Sequence, residues 1–192
     1  MKIAPLNIEK KDWQSNPSLI HQVVVKELAS RRHGTAKVKS RNEVTGSTRK
    51  IYRQKGTGNA RHGDIKAPLF VGGGQAFGPK PRDWSFVLPR QLRRQALKAA
   101  VALRHEEKKL WLLDSDWKEP KTKQASKFFV ANEIGNALVV IDADERVTEK
   151  SIRNLACFEV RLWNEFQVAD ILKHEHLVLT GKAYQQLEGR VS

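Results

Sequence analysis

The chain has one cysteine, Cys157, in 192 residues. That excludes an intramolecular disulfide framework and fits a reducing compartment. No stretch approaches the roughly 18 consecutive apolar residues of a membrane-spanning helix. The opening MKIAPLNIEKKDW has no long apolar core of the kind a secretory signal needs. These absences predict a soluble, cytoplasmic protein with no membrane partner. Nucleotide signatures are missing too. Gly56-Thr57-Gly58-Asn59-Ala60 is followed by Arg61, not by the third glycine of GxGxxG, and no P-loop pattern occurs. His174-Glu175-His176 is a weak metal site, because no further Cys/His cluster accompanies it. No metal and no cofactor are expected.

Acidic residues are scarce in one place only. Residues 31–94 carry sixteen Lys or Arg against three Asp or Glu, a net of +13. Residues 1–30 carry a net of +1, and residues 95–192 carry fifteen of each sign. Nearly all of the +14 therefore falls in one third of the chain, with nine of the twelve Gly and four of the seven Pro. Between Gly34 and Lys66 the apolar residues Val38, Val44, Ile51, Tyr52 and Ile65 are scattered singly. Such a segment cannot bury enough apolar surface to offset the entropy of ordering itself. It is either disordered or ordered by a polyanion. If Gly34 and Lys66 are anchored near each other, about 16 residues run out and 16 run back. At roughly 3.3 Å per residue the tip, near Arg53–Arg61, could then reach about 50 Å.

The flanking sequence reads as an ordinary domain. Asn16-Pro17 predicts a capped helix start, and Ile20, Val23, Val24 and Leu28 recur at helical spacing to about residue 32, with Gly34 as the stop. A second helix is expected over 91–107, with Leu92, Ala96, Ala99 and Leu103 as its apolar stripe and Arg93, Arg94, Lys98 and Arg104 on the surface. Strands are expected at 109–114, 137–142, 158–162 and 176–180. Helices are expected at 121–132, from a Thr148 cap to Leu155, from an Asn164/Gln167 capping box to Leu172, and at 182–188. Near-continuous apolar strands separated by helices mean a parallel sheet covered on both faces. The predicted fold is α/β: a three-layer sandwich with a mostly parallel sheet of about four strands and a long basic extended loop inserted. The expected division is 1–33 and 91–192 for the globular part, with 34–90 as the extension.

Several side-chain groups invite chemistry. Gly72-Gly73-Gly74 is either a phosphate nest or, as favoured, a tight irregular turn. Trp84 and Phe86 either meet RNA or, as favoured, anchor the base of the extension. Asp114-Ser115-Asp116 and Asp142-Ala143-Asp144 end two strands, where a Mg²⁺-dependent phosphohydrolase would place acids. The VVIDAD run resembles a haloacid-dehalogenase nucleophile motif, but no partner Lys and second acid follow in context. Turn and capping chemistry suits those Asp residues equally well. Cys157 is expected to open a strand within the core. No catalytic residue is expected. The basic stretch offers a nucleic-acid surface: Lys37, Lys39, Arg41, Arg49, Lys50, Arg53, Lys55, Arg61, His62, Lys66, Lys80, Arg82, Arg93 and Arg94 for phosphates, Tyr52 for a base, and Gly56 and Gly58 for close approach.

HQVVV at 21–25, the VTGS, RQKGTG, AR and G run from Val44 to Gly63, and PKPRDWS at 79–85 occur in order. On these residues the chain resembles the bacterial large-subunit ribosomal protein 4 family over about residues 17–190. The resemblance implies an α/β domain on the large subunit and a basic extension threaded into 23S rRNA. It implies a role in early subunit assembly and a tip lining the nascent-peptide exit tunnel. By motif, Arg53, Gln54, Lys55, Gly56, Thr57, Gly58 and Arg61 correspond to the tip, and Arg41, Arg49 and Lys50 to the strand leading there. Neighbouring ribosomal proteins and the nascent peptide are implied partners. Messenger RNA is a further one, if the chain also regulates off the ribosome. Tyr52 stands where the family often has Trp, and Asn59 where it often has Arg. The first 15 residues match no part of the family's usual start.

Overall fold

A computed structural model describes residues 2–6, 13–114, 117 and 119–191. It divides into two compact units, one formed by residues 1–31 and 85–192, the other by residues 32–84.

The first unit is built on a five-stranded sheet. Its strands are β1 (Lys2–Pro5), β2 (Leu110–Asp114), β3 (Ala137–Ile141), β4 (Phe158–Leu162) and β5 (His176–Thr180). Their order is β1-β2-β5-β3-β4. β2, β5, β3 and β4 run parallel, while β1 pairs antiparallel with β2, Ile3 opposite Leu113. The helices are α1 (Pro17–Ser30), α2 (Arg90–Glu106), α3 (Thr122–Ala131), α4 (Arg146–Ile152), α5 (Val168–Lys173) and α6 (Gly181–Val191).

Every residue of β3 is buried, as a central strand with both faces covered requires. Successive side chains of a strand point to opposite faces, and two cores result. Leu138 and Val140 join Ile20, Val23, Ala100, Ile171 and Leu187, drawn from α1, α2, α5 and α6. Ala137, Val139 and Ile141 join Ala125, Phe129 and Ile152, drawn from α3 and α4. Crossover helices between parallel strands must cover the sheet, which explains the alternation read from the sequence.

Several local expectations change. The sheet has a fifth strand, β1. The Asn16 side chain accepts from the Leu19 amide at 3.2 Å and Pro17 opens α1, as expected, but α1 ends at Ser30. Gly34 is not its stop. A Cβ there would lie 1.7 Å from the Arg82 carbonyl oxygen, so Gly34 serves a close backbone approach. Thr148 is inside α4, whose cap position is Glu145. The capping box of α5 is Gln167 with Asp170, not Asn164 with Gln167. The Glu27 carboxylate also accepts from the Val168 and Ala169 amides at 3.3 and 2.8 Å, and burial pushes its carboxyl up.

Arg104 is not a surface residue but is buried. Its Nη2 donates to the carbonyls of Ile171, Leu172 and His174 at 3.1, 3.3 and 2.7 Å, satisfying the end of α5. Cys157 is exposed rather than in the core, with φ 66° in the turn before β4.

Candidate nucleic-acid interface

Residues 32–84 contain neither helix nor strand. Their twelve Lys or Arg face three acids. No apolar residue of this unit is buried; its buried side chains are Asp64 and Lys66. Order comes instead from sparse backbone bonds between an outgoing and a returning segment. Arg82 N donates to Gly34 O, Val38 N to Pro79 O, Gln75 N to Lys39 O, and Ile51 N to Gly63 O, at 2.9 to 3.2 Å. Gly34 is therefore opposite Arg82.

Lys66 sits in a tight turn. Phe70, Gly73 and Gly74 amides donate to Ala67, Phe70 and Lys66 carbonyls at 2.9 to 3.1 Å. The triple glycine is thus a turn; the Gly73 and Gly74 amides have carbonyl partners and form no anion nest. A Cβ on Gly73 would lie 2.1 Å from Ala67 O, and one on Gly74 2.2 Å from Arg41 N. No side chain larger than hydrogen fits at either position. Asp64 is buried beside this turn and pairs with Arg41 at 3.1 Å.

At one end of the unit, the Arg32 and Arg82 guanidinium carbons lie 3.7 and 3.5 Å from the Trp84 ring centroid. Two guanidinium groups that close require one face of the indole each. Trp84 thus ties the outgoing and returning segments together by cation–π contacts.

The structure sorts the expected contact residues. Lys37 pairs with Glu43 at 2.6 Å, and this hydrogen bond, with one from the Ser40 amide, holds the Glu43 carboxyl down to about 2. Lys50 Nζ donates to His62 O at 2.9 Å, and Arg53 Nη2 to Gly56 O at 3.2 Å. The Tyr52 hydroxyl donates to Ala60 O, while its ring meets His62 edge-on at 6.3 Å. His62 in turn meets Phe70 at 5.0 Å. These contacts close residues 52–62 into a loop. Gly56 and Gly58 turn it with φ +83° and +71°, which favour glycine.

Lys39, Arg49, Lys55, Arg61 and Lys80 are exposed, as are Gln54 and Gly58, and Thr57 is half-buried. None of those five cations has an ion-pair partner among the described residues. Lys66 is buried, its stem against Gly46, and is the least available of the expected cations.

Arg93 and Arg94 belong to the other unit, near the start of α2, and are exposed. Arg32 was missed by the sequence reading. Its signal was the pairing of a basic dipeptide at 31–32 with the aromatic in PKPRDW, 52 residues after Arg32.

The alternative sites dissolve into local structure. Asp142 accepts from the Ala143 amide at 2.9 Å, and Glu145 accepts from the Asp142 amide at 3.2 Å, which is turn chemistry. Ser115 and Asp116 lie outside the described residues. His174 is held between Asn136 at 2.6 Å and Glu159 at 3.2 Å, whereas His176 Nδ1 accepts from Trp111 Nε1 at 3.1 Å. The two histidines thus have separate partners. No cluster of three metal-ligating side chains occurs among the described residues, and no helix there is long and apolar enough to cross a membrane.

A family model described as "Ribosomal protein L4/L1 family" matches residues 6–190. A large ribosomal subunit protein uL4 of Desulfatibacillum aliphaticivorans is 45% identical over 175 residues, 91% of this chain and 85% of the relative. Those of Deinococcus radiodurans and Anaeromyxobacter dehalogenans are each 43% identical, over 90% and 92% of this chain and 85% and 86% of their own lengths.

Proposed function

Since the chain belongs to the ribosomal protein L4/L1 family, we propose that it is a structural protein of the large ribosomal subunit in the cytoplasm and binds 23S rRNA through its basic insertion. The carrying observation is the state of residues 32–84. They bury no apolar side chain, and among the described residues Lys39, Arg49, Lys55, Arg61 and Lys80 have no ion-pair partner. Like charges at that density are stable when phosphates neutralise them. In this reading the sheet and its helices form a three-layer body from residues 1–33 and 91–192. Residues 34–90 are an extended arm that completes its fold on RNA.

The loop from Arg53 to Arg61 is the tip. Gln54, Lys55, Thr57 and Arg61 face RNA or the nascent peptide, and Gly56 and Gly58 let the backbone come close. Binding early in assembly follows, because an arm threaded through RNA must enter before the RNA closes around it. The chemistry is positional: counter-ion release supplies affinity and RNA shape supplies placement. No catalytic step is assigned.

The test is salt dependence. If about eight basic residues meet phosphates, log affinity for an rRNA fragment falls against log salt with a slope of roughly −6 to −7. A slope near −1 refutes the reading. Crosslinking from Lys55 and Arg61 in the assembled particle then identifies the RNA segments reached.

A further inference from the structure

Two carboxylates at the carboxyl end of the sheet have no role in the fold. Asp142 and Glu145 are engaged in the turn after β3. Asp114, at the end of β2, and Asp144 are exposed, and their side chains have no hydrogen bond or ion pair among the described residues. Both line a cleft of about 380 Å³ beyond the ends of β2, β5 and β3, the place where open parallel sheets take their ligands. Glu145 joins them, and Lys182 is the one cation in the lining. Three carboxylates against one ammonium make this corner acidic on a chain of net charge +14. The apolar part of the wall includes Leu113, Trp117 and Val147.

Thr180 points to a ligand independently of the acids. It is 1% exposed, and its Oγ1 has no hydrogen-bond partner. In the parallel ladder Thr180 stands opposite Leu113, and residues paired across neighbouring strands turn their side chains to the same face. Leu113 lines the cleft, so the Thr180 hydroxyl is directed at its floor. A buried hydroxyl left without a partner destabilises the fold unless a ligand supplies one. The next residue, Gly181, opens α6, whose first amides have no partner within the helix. The cleft thus offers donors on its α6 side and acceptors at Asp114, Asp144 and Glu145.

We propose that this cleft docks an arginine-bearing segment of a partner protein. The guanidinium lies on Trp117 and pairs with Asp114 and Asp144, while a peptide carbonyl of the same segment accepts from the Thr180 hydroxyl and the α6 amides. The inference does not rest on the reading of the basic insertion. Three carboxylates repel a phosphate backbone. A polyamine has donors only, and leaves the α6 amides unmatched. A metal ion is disfavoured because the described residues hold no cluster of three ligating side chains. Arginine is favoured over lysine because its planar fork meets carboxylate oxygens two at a time and stacks on an indole.

The experiment titrates the isotope-labelled full chain, followed by NMR, with a capped Gly-Arg-Gly-Arg-Gly peptide, its lysine counterpart and spermidine. The arginine peptide is expected to shift the Trp117 indole and the Gly181 and Lys182 amide signals saturably, and the lysine peptide to bind about fivefold more weakly. Asp114→Asn with Asp144→Asn should weaken the arginine peptide about tenfold. Thr180→Val keeps the shape of the side chain and removes an unpaired buried hydroxyl. It should raise the thermal midpoint while weakening the peptide about threefold, a split that a merely structural threonine would not give. Absence of shifts at those signals overturns the inference. So does binding unchanged in the Asn pair or in Thr180→Val, or a lysine peptide or spermidine that binds as well as the arginine peptide. Affinity for an rRNA fragment is measured beside it. Its loss from the unaltered chain would end the function proposed above and leave this inference standing.

Discussion

The two units of this chain handle charge and apolar surface in opposite ways. In the body every residue of β3 is buried, and its buried or half-buried ionic side chains, Arg104 and Glu159 among them, are tied to backbone or to one another. In residues 32–84 an aspartate and a lysine are buried, while Val71 and Phe77 are fully exposed. The body meets the usual condition for a protein that folds alone, because apolar burial offsets conformational entropy. The insertion does not. It has backbone bonds, a glycine-dependent turn and a Trp84 clamp, enough to shape its backbone but with no core beneath. A core and a cation-rich scaffold are different solutions to the same entropy cost, and the second requires a counter-charge.

The widest separation between the units is expected from charge removal. Replacing Arg53, Lys55 and Arg61 together by Gln should weaken binding to an rRNA fragment about a thousandfold at low salt, from three lost charge-assisted contacts of about 1.4 kcal/mol each. The thermal midpoint of the body should not move. A falling midpoint in a melting curve would mean that these cations stabilise the fold, and the comparison would break. The converse change is Arg104→Ala. It leaves the Ile171, Leu172 and His174 carbonyls without their donor, at a cost of about 3 kcal/mol in denaturant unfolding, with RNA affinity retained.

Gly74→Ala is subtler. The new methyl must displace backbone at Arg41 that would sit 2.2 Å away. It should disturb the turn that buries Asp64 and Lys66 and cost about 2 kcal/mol of RNA affinity without touching the body. Amide exchange in the free chain sharpens this. Protection is expected at Gly74 and Gln75, whose amides are bonded, and lost between Arg53 and Gly58. In Gly74→Ala the protection at those two amides should vanish. Uniform protection across 36–65, equal to the sheet's, would show the insertion to be self-sufficient.

The body was largely legible because its signals are local and repeated. Ala137–Ile141 reads as a buried strand from five residues. β1 was not legible. Its four residues carry no alternation, and Pro5 closes it, so only pairing with β2 makes it a strand. Arg104 was misread because a helical wheel puts charge outside, and it takes no account of the α5 carbonyls, some 70 residues away, that draw it in. The cationic character of the insertion was plain from charge counts, but its register was not. Gly34 meets Arg82 through one backbone bond and a close approach that only glycine allows, and Trp84 stacks with Arg82 beside it; such contacts leave no periodic trace.

The smallest expected effect tests whether the body's paired charges matter at all. Glu159 on β4 takes hydrogen bonds from Lys173 at 2.7 Å, His174 at 3.2 Å and Arg161 at 2.5 Å. The Lys173 bond foremost, with those of His174 and Arg161, holds its carboxyl down to about 2 from an ordinary value of 4.5. A carboxyl depressed on folding adds stability that is complete above the ordinary carboxylate range and is lost as pH falls toward about 2. Glu159→Gln should therefore cost about 1 kcal/mol near neutral pH, after solvent screening of the Lys173 and Arg161 partners. The difference from the unaltered chain should shrink below pH 4.5 and vanish near pH 2. Denaturant titrations at stepped pH read it directly. A difference constant across that range would mean that packing, not charge, holds this corner, and the body would then depend on ion pairs as little as the insertion depends on a core.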